Sequence, residues 1–181
     1  MINSKDLFRD LRKRITLAQD ASETESILYR VLEEVPGITR SDIISQKAVS
    51  LTAKETSALD SIINRINQNE PVQYILGKAD FFGREFAVNP SVLIPRPETE
   101  LLIEAVLKHA TPAPGKILDI GTGSGCIAIT LSCELPHKQV YALDISEAAL
   151  KTARSNAYKL NAQVTFQQVD ILNEEITLKD F

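Results

Sequence analysis

Residues 116–146 read KILDIGTGSGCIAITLSCELPHKQVYALDIS. An apolar run, Ile117-Leu118-Asp119-Ile120, leads into Gly121-Thr122-Gly123-Ser124-Gly125; a helical pattern follows, and then a second apolar run, Val140-Tyr141-Ala142-Leu143, ends at Asp144. The order is strand, glycine loop, helix, strand, acid. Glycines let the backbone turn sharply and come close to a ligand without a Cβ in the way. The start of the helix offers N–H groups with no intrahelical partner. An acid closing the second strand can accept hydrogen bonds from the two hydroxyls of a ribose. The unit is suited to a nucleoside-containing cofactor.

The glycine spacing separates cofactor classes. The dinucleotide fingerprint G-x-G-x-x-G/A requires a small residue at 126, where this chain has Cys126, and the third glycine falls one position early. Asp119 through Gly125 instead spell D-x-G-x-G-x-G, which resembles the class I S-adenosylmethionine-dependent methyltransferases. That resemblance implies S-adenosyl-L-methionine as cofactor and disfavours a nicotinamide oxidoreductase. The plain alternative is a glycine-rich strand-to-helix turn with no ligand, and the placing of Asp119 and Asp144 weighs against it.

Composition sets outer bounds. The chain has 181 residues, 44% of them hydrophobic, enough for one large or two small domains. A formal charge of −4 argues against a broad nucleic-acid binder, which needs a surplus of Lys and Arg on some face. Cys126 and Cys133 fall seven residues apart on one expected helix, about 10 Å at the helical rise and too far for a disulfide. They read as free thiols of a reducing compartment. No Cys/His cluster has metal-ligand spacing, and His109 and His137 are isolated, so no metal is expected. No leader and no membrane-spanning run is seen, which makes the cytoplasm the default.

Residues 1–68 read as a helical domain. Leu7, Phe8, Leu11 and Ile15 recur at helical spacing behind Ser4 as a cap. Ile27, Leu28, Val31 and Leu32 follow a Ser22-x-x-Glu25 capping box, and Pro36-Gly37 breaks the pattern. A short piece spans Ser41 to Gln46, and Thr52-x-x-Glu55 caps a helix bearing Leu59, Ile62, Ile63 and Ile66. The segment holds no constellation for chemistry; it serves recognition or packing alone. Residues 69–96 form the expected linker, with β-prone runs on either side of Gly83 predicting a hairpin. Prolines flank Arg96, making that piece extended and stiff. Pro97 can open a helix burying Leu101, Leu102, Ala105, Val106 and Leu107, which begins a third segment, 97–181.

The run Glu70 to Glu100, with P-V-Q-Y-I-L-G, D-F-F-G-R-E-F-A-V and L-I-P-R-P-E-T-E, together with L-D-I-G-T-G-S-G-C-I-A and A-L-D-I-S, resembles the bacterial release factor glutamine methyltransferases. The resemblance covers nearly the whole chain. It implies an α/β architecture: a helical bundle, a β-hairpin linker and the first part of a doubly wound, Rossmann-like sheet. It implies cofactor contacts from Asp119, Gly121, Thr122, Gly123, Ser124, Gly125, Asp144 and Ile145. It adds Asp170, an acid after a third strand at Val164–Asp170 that would accept from the adenine amino group, and Ile171, which would pack on the ring where the family often has an aromatic residue. Phe81, Arg96, Pro97, Glu98 and Thr99 are expected on the substrate side; the alternative for Arg96 and Glu98 is a surface ion pair at a helix start. The implied activity is methylation of the glutamine amide in the Gly-Gly-Gln motif of peptide-chain release factors. The alternatives are methylation of a ribosomal-protein glutamine or of a nucleic-acid adenine amino group, or a non-catalytic cofactor-binding module.

The family's Asn-Pro-Pro-Tyr motif, which orients the substrate amide, does not occur. An amide nitrogen is a poor nucleophile and depends on positioning. No catalytic residue is therefore expected within these residues, and the chain is expected to be an inactive part of a longer enzyme. A fourth strand would begin near Leu178–Phe181; without it, the strand at Ile117–Ile120 would have an open edge prone to self-association. Neither direct nucleic-acid binding nor membrane binding is expected.

Overall fold

A computed structural model describes residues 1–16 and 20–174. The chain divides into two compact units, Met1–Leu76 and Gly77–Phe181, so the division falls within the stretch expected as a linker.

In the first unit α1 (Ser4–Arg14), α2 (Ala21–Glu34), α3 (Arg40–Ile44), α4 (Ala53–Asn67) and α5 (Val72–Leu76) surround one core. Leu11, Leu28, Val31, Leu32, Leu59, Ile63 and Ile66 are at most 2% exposed. Each such side chain contributes about 1.5–3 kcal/mol through burial. The Thr52–Glu55 capping box forms as expected, Glu55 N–H donating to Thr52 Oγ1 and Thr52 N–H to Glu55 Oε2. Two expected caps are corrected. Asn3, not Ser4, caps α1 by accepting Lys5 N–H at 2.9 Å, while the Ser4 hydroxyl donates to Asp42 C=O. Asp20, not Ser22, caps α2, and Glu25 pairs with Arg12 at 3.4 Å instead of closing a box. The unit is also not wholly helical: β1 (Ile2–Asn3) and β2 (Ala48–Val49) form a short antiparallel pair. Gly37, at φ +67°, lets the chain leave α2 so that Ile38 N–H reaches back to Leu32 C=O.

The second unit starts with the expected hairpin, β3 (Lys78–Phe81) and β4 (Arg84–Ala87). Phe82 and Gly83 both take positive φ, the geometry of the tight turns that match strand twist. A 3-10 turn, Pro97–Thr99, runs into α6 (Glu100–His109). Pro97 does open the helical segment, but its buried face differs from expectation. Ile103 is fully buried, whereas Leu101 and Leu102 are 65% and 50% exposed and Ala105 is exposed. Then β5 (Gly115–Ile120), α7 (Cys126–Glu134), β6 (Lys138–Asp144), α8 (Glu147–Lys159) and β7 (Val164–Gln168) alternate. The strands form a parallel sheet in the order β5-β6-β7. Helical crossovers are what parallel neighbours require. Among the described residues β5 pairs with β6 alone. Residues 178–181, where a fourth strand is expected to begin, lie outside the described ones.

Both cysteines are free. Burial pushes the Cys126 thiol up to about 11, so it stays protonated and inert. Among the described residues no helix is long and apolar enough to cross a membrane, and no group of three His, Cys, Asp or Glu side chains could hold a metal ion.

Candidate functional site

The glycine loop follows β5 and precedes α7, so its conformation decides what the C-terminal end of the sheet presents. Gly121, Gly123 and Gly125 take φ of +75°, +56° and +81°. A side chain at those angles is strained. At Gly125 space is also closed, because a Cβ there would lie 2.8 Å from Ile129 Cδ1 and 3.1 Å from Ala153 Cβ. The small Ala153 on α8 thus allows the loop to lie against that helix. The loop continues the sheet's bonding: Gly121 and Thr122 N–H both donate to Leu143 C=O, at 2.8 and 3.0 Å.

Two acids hold the loop, one on β5 and one on β6. The half-buried Asp119 accepts the Thr122 hydroxyl at 2.7 Å. Burial pushes the Asp119 carboxyl above the usual range, and the charge of Asp144 adds to this; the Thr122 hydroxyl and the Ala128 N–H oppose it. Asp144, the last residue of β6, accepts Gly123 N–H on Oδ2 and Ser146 N–H on Oδ1, both at 2.9 Å. These backbone donors fix its rotamer, and each oxygen keeps a lone pair for a further donor. Ser146 then caps α8 by accepting Ala149 N–H.

Beside Asp144 lies a cavity of about 350 Å³ lined by Ile120, Gly121, Leu143, Asp144, Ile145, Val169, Asp170, Ile171 and Leu172. Ile120, Ile145, Ile171 and Leu172 leave 47%, 62%, 43% and 87% of their surface exposed around it. An apolar rim with a few converging polar groups is the composition of a small-molecule site. The carboxylate of Asp170 accepts Leu172 N–H at 3.1 Å and the Asn173 side-chain amide at 2.7 Å. The side-chain bond from Asn173 is the main reason its carboxyl lies below the usual range.

Of the expected residues, Gly121, Asp144, Ile145, Asp170 and Ile171 line this cavity. Thr122, Ser124 and Gly125 are buried within the loop and Gly123 is half-buried; these residues, with Asp119, shape the loop. Phe81 lies in the core, 1% exposed and edge-on to Phe86 at 6.1 Å, and does not line the cavity beside Asp144. Arg96, Pro97 and Glu98 are exposed and Thr99 half-buried, and none of the four lines the cavity. Among the described residues no ion pair joins Arg96 to Glu98. Sequence reading missed Ile120, Leu143, Val169 and Leu172. The first three sit at or just past strand ends, a position that could have drawn attention to them.

Residues 6–77 match the family described as PrmC N-terminal domain, and residues 97–179 match the methyltransferase small domain. The release factor glutamine methyltransferase of Bacteroides thetaiotaomicron is 45% identical over 153 residues, covering 84% of this chain and 55% of the relative. That of Flavobacterium psychrophilum is 40% identical over 166 residues, covering 90% and 58%. That of Koribacter versatilis is 53% identical over 124 residues, covering 68% and 44%. Along both matched segments the chain is similar to release factor glutamine methyltransferases. It spans about half the length of the curated relatives it matches. The parallel sheet agrees with the class I methyltransferase fold expected for the second matched segment, and the first match runs nine residues past the helical domain expected at 1–68.

Proposed function

We propose that the second unit holds S-adenosyl-L-methionine in the cavity beside Asp144, as part of an enzyme that methylates the glutamine amide in the Gly-Gly-Gln motif of peptide-chain release factors in the cytoplasm. The observation that carries the cofactor assignment is the placing of the Asp144 carboxylate at the end of β6, held by Gly123 and Ser146 N–H groups and bordered by Ile120, Ile145 and Ile171. That donor set fits a nucleoside: a fixed carboxylate for ribose hydroxyls, apolar side chains for an adenine face, and Asp170 for its amino group. The cavity's size and largely apolar lining are within the range for such ligands. When bound, the cofactor supplies an electrophilic methyl group.

What these residues do toward the reaction is to bind and orient. Asp119 and Asp144 fix the loop, and the apolar rim excludes water from the nucleoside. The residues contain no Asn-Pro-Pro-Tyr motif, so orientation of the substrate amide is assigned to the whole enzyme. The substrate is proposed from the relatives' names, and the exposed, stiff segment Arg96–Thr99 is proposed to border it. The whole enzyme, incubated with a release factor and methyl-labelled cofactor, should add a single methyl group to the Gly-Gly-Gln glutamine, seen by mass spectrometry of the peptide. Arg96→Ala and Glu98→Ala should lower that rate. Label appearing on RNA or on a ribosomal protein instead, with the release factor unmodified, would overturn the substrate assignment.

A further inference from the structure

The side-chain amide of Asn156, on α8, is fully buried and joins two segments distant in sequence. Its Oδ1 accepts Ala87 N–H at 2.7 Å, and its Nδ2 donates to Ala87 C=O at 3.0 Å and to Ser124 C=O at 2.9 Å. Ala87 is the last residue of hairpin strand β4, and Ser124 lies in the glycine loop. Toward Ala87 the amide acts as a neighbouring strand would, giving one donor and one acceptor; its remaining donor goes to the loop. Only a side-chain amide offers that combination. A carboxylate could accept from Ala87 but donate to neither carbonyl. An apolar residue would leave one buried and two half-buried backbone groups without this partner.

The bond to Ser124 acts on the peptide between Ser124 and Gly125. Its C=O is held by Asn156, and its N–H donates to Thr122 C=O at 2.8 Å. Held at both ends, that peptide cannot rotate, and its orientation carries the positive φ of Gly125. One turn earlier on α8, Ala153 forms the surface that a Cβ on Gly125 would strike. One turn before Asn156 in the i−4 direction, Thr152 accepts the Asn89 side-chain amide at 2.9 Å, extending the hold on the chain after β4.

We infer that Asn156 is a positioning residue for the ligand of the glycine loop: it fixes the Ser124–Gly125 peptide, and with it the Gly123 N–H against Asp144, to the end of the hairpin. The inference rests on the cofactor reading above and adds a residue that contacts no ligand itself.

The test compares Asn156→Ala with Leu135→Ala, a buried position at the other end of α7 from the loop, in the full 181-residue chain. Three quantities are read: affinity for S-adenosylhomocysteine by calorimetry, thermal midpoint, and hydrogen exchange of the Gly123 and Gly125 amides without ligand. Asn156→Ala should weaken binding by about tenfold or more and speed exchange at those amides similarly, as expected for a lost buried bond. Leu135→Ala should lower the midpoint while leaving both near wild type. Unchanged affinity and exchange in Asn156→Ala, or equal effects in the control, would overturn the inference. If the wild-type chain does not bind S-adenosylhomocysteine, the cofactor reading falls, and the exchange data alone decide the role of Asn156. If Asn156→Ala does not fold, Asn156→Asp keeps the acceptor and removes both donors, with the same expectation. Failure of both to fold while Leu135→Ala folds would make Asn156 purely structural.

Discussion

Glu100 Oε1 accepts the backbone N–H of Phe82 at 2.9 Å, so the first residue of α6 holds the tip of the hairpin. Phe82 is at φ +48°, a conformation that costs a side-chain-bearing residue about 1–2 kcal/mol. The carboxylate offsets that cost from outside the turn. Glu100→Ala should destabilise the chain by about 1–2 kcal/mol in urea unfolding, whereas Glu100→Gln, which keeps an acceptor, should lose less than half of that. Equal losses for the two variants would show that the acceptor does not matter.

Asp144→Ala should weaken S-adenosylhomocysteine binding by about 1.5–3 kcal/mol, the range for a bond to a charged acceptor. Its backbone donors, Gly123 and Ser146 N–H, also lose their partner, so a modest fall in thermal midpoint should accompany it. Calorimetry showing wild-type affinity would remove Asp144 from the site.

Glycine-to-alanine changes at Gly125 and Gly37 should separate strain from collision. Both glycines take positive φ, but nothing lies within 4 Å of a Cβ at Gly37, while Ile129 and Ala153 crowd one at Gly125. Gly37→Ala should cost about 1–2 kcal/mol from backbone strain alone. Gly125→Ala should cost at least about 1 kcal/mol more, from overpacking, and abolish ligand binding. Matching denaturation midpoints for the two variants would contradict the packing described for Gly125.

Glu85 gives an acid-limb prediction. Hydrogen bonds from Lys159 and Lys78, each at 2.7 Å, hold its carboxyl down at about 2, against an ordinary 4.5. A depressed carboxyl contributes stability that is fully present above the unfolded value and lost as pH falls through the folded one. The window here therefore runs from about 4.5 down to 2. The side chain is 40% exposed, so solvent screening limits the contribution to about 0.5–1 kcal/mol. Glu85→Gln should lower stability by that amount at neutral pH and by progressively less below pH 4.5; a difference constant from pH 7 to 2 would exclude the ion pairs as its source.

Features written in local chemistry were legible from sequence: the Thr52–Glu55 box, the turn at Gly83 and the glycine loop with Asp144. Those decided by a partner distant in the chain were not. Apolar residues occur all round α6, and only contact with the rest of its unit selects Ile103 over Leu101 and Leu102. Asn3 and Asp20 took the caps assigned to Ser4 and Ser22, because both hydroxyl residues fall one or two positions inside the helix. Phe81 is expected on the substrate side, yet strand alternation turns it into the core, edge-on to Phe86. No sequence signal singled out Asn156. Nothing in its neighbours announces that a hairpin 69 residues earlier supplies two of its three hydrogen bonds.

The shared acceptance of Gly121 and Thr122 N–H by Leu143 C=O bears on kinetics as well as shape. Because the glycine loop prolongs the sheet's own hydrogen bonding, its conformation is set before any ligand arrives. Little ordering then accompanies association, and a small molecule should enter at a rate set by diffusion and access more than by loop closure. Variants that loosen the loop should differ mainly in how long the ligand stays.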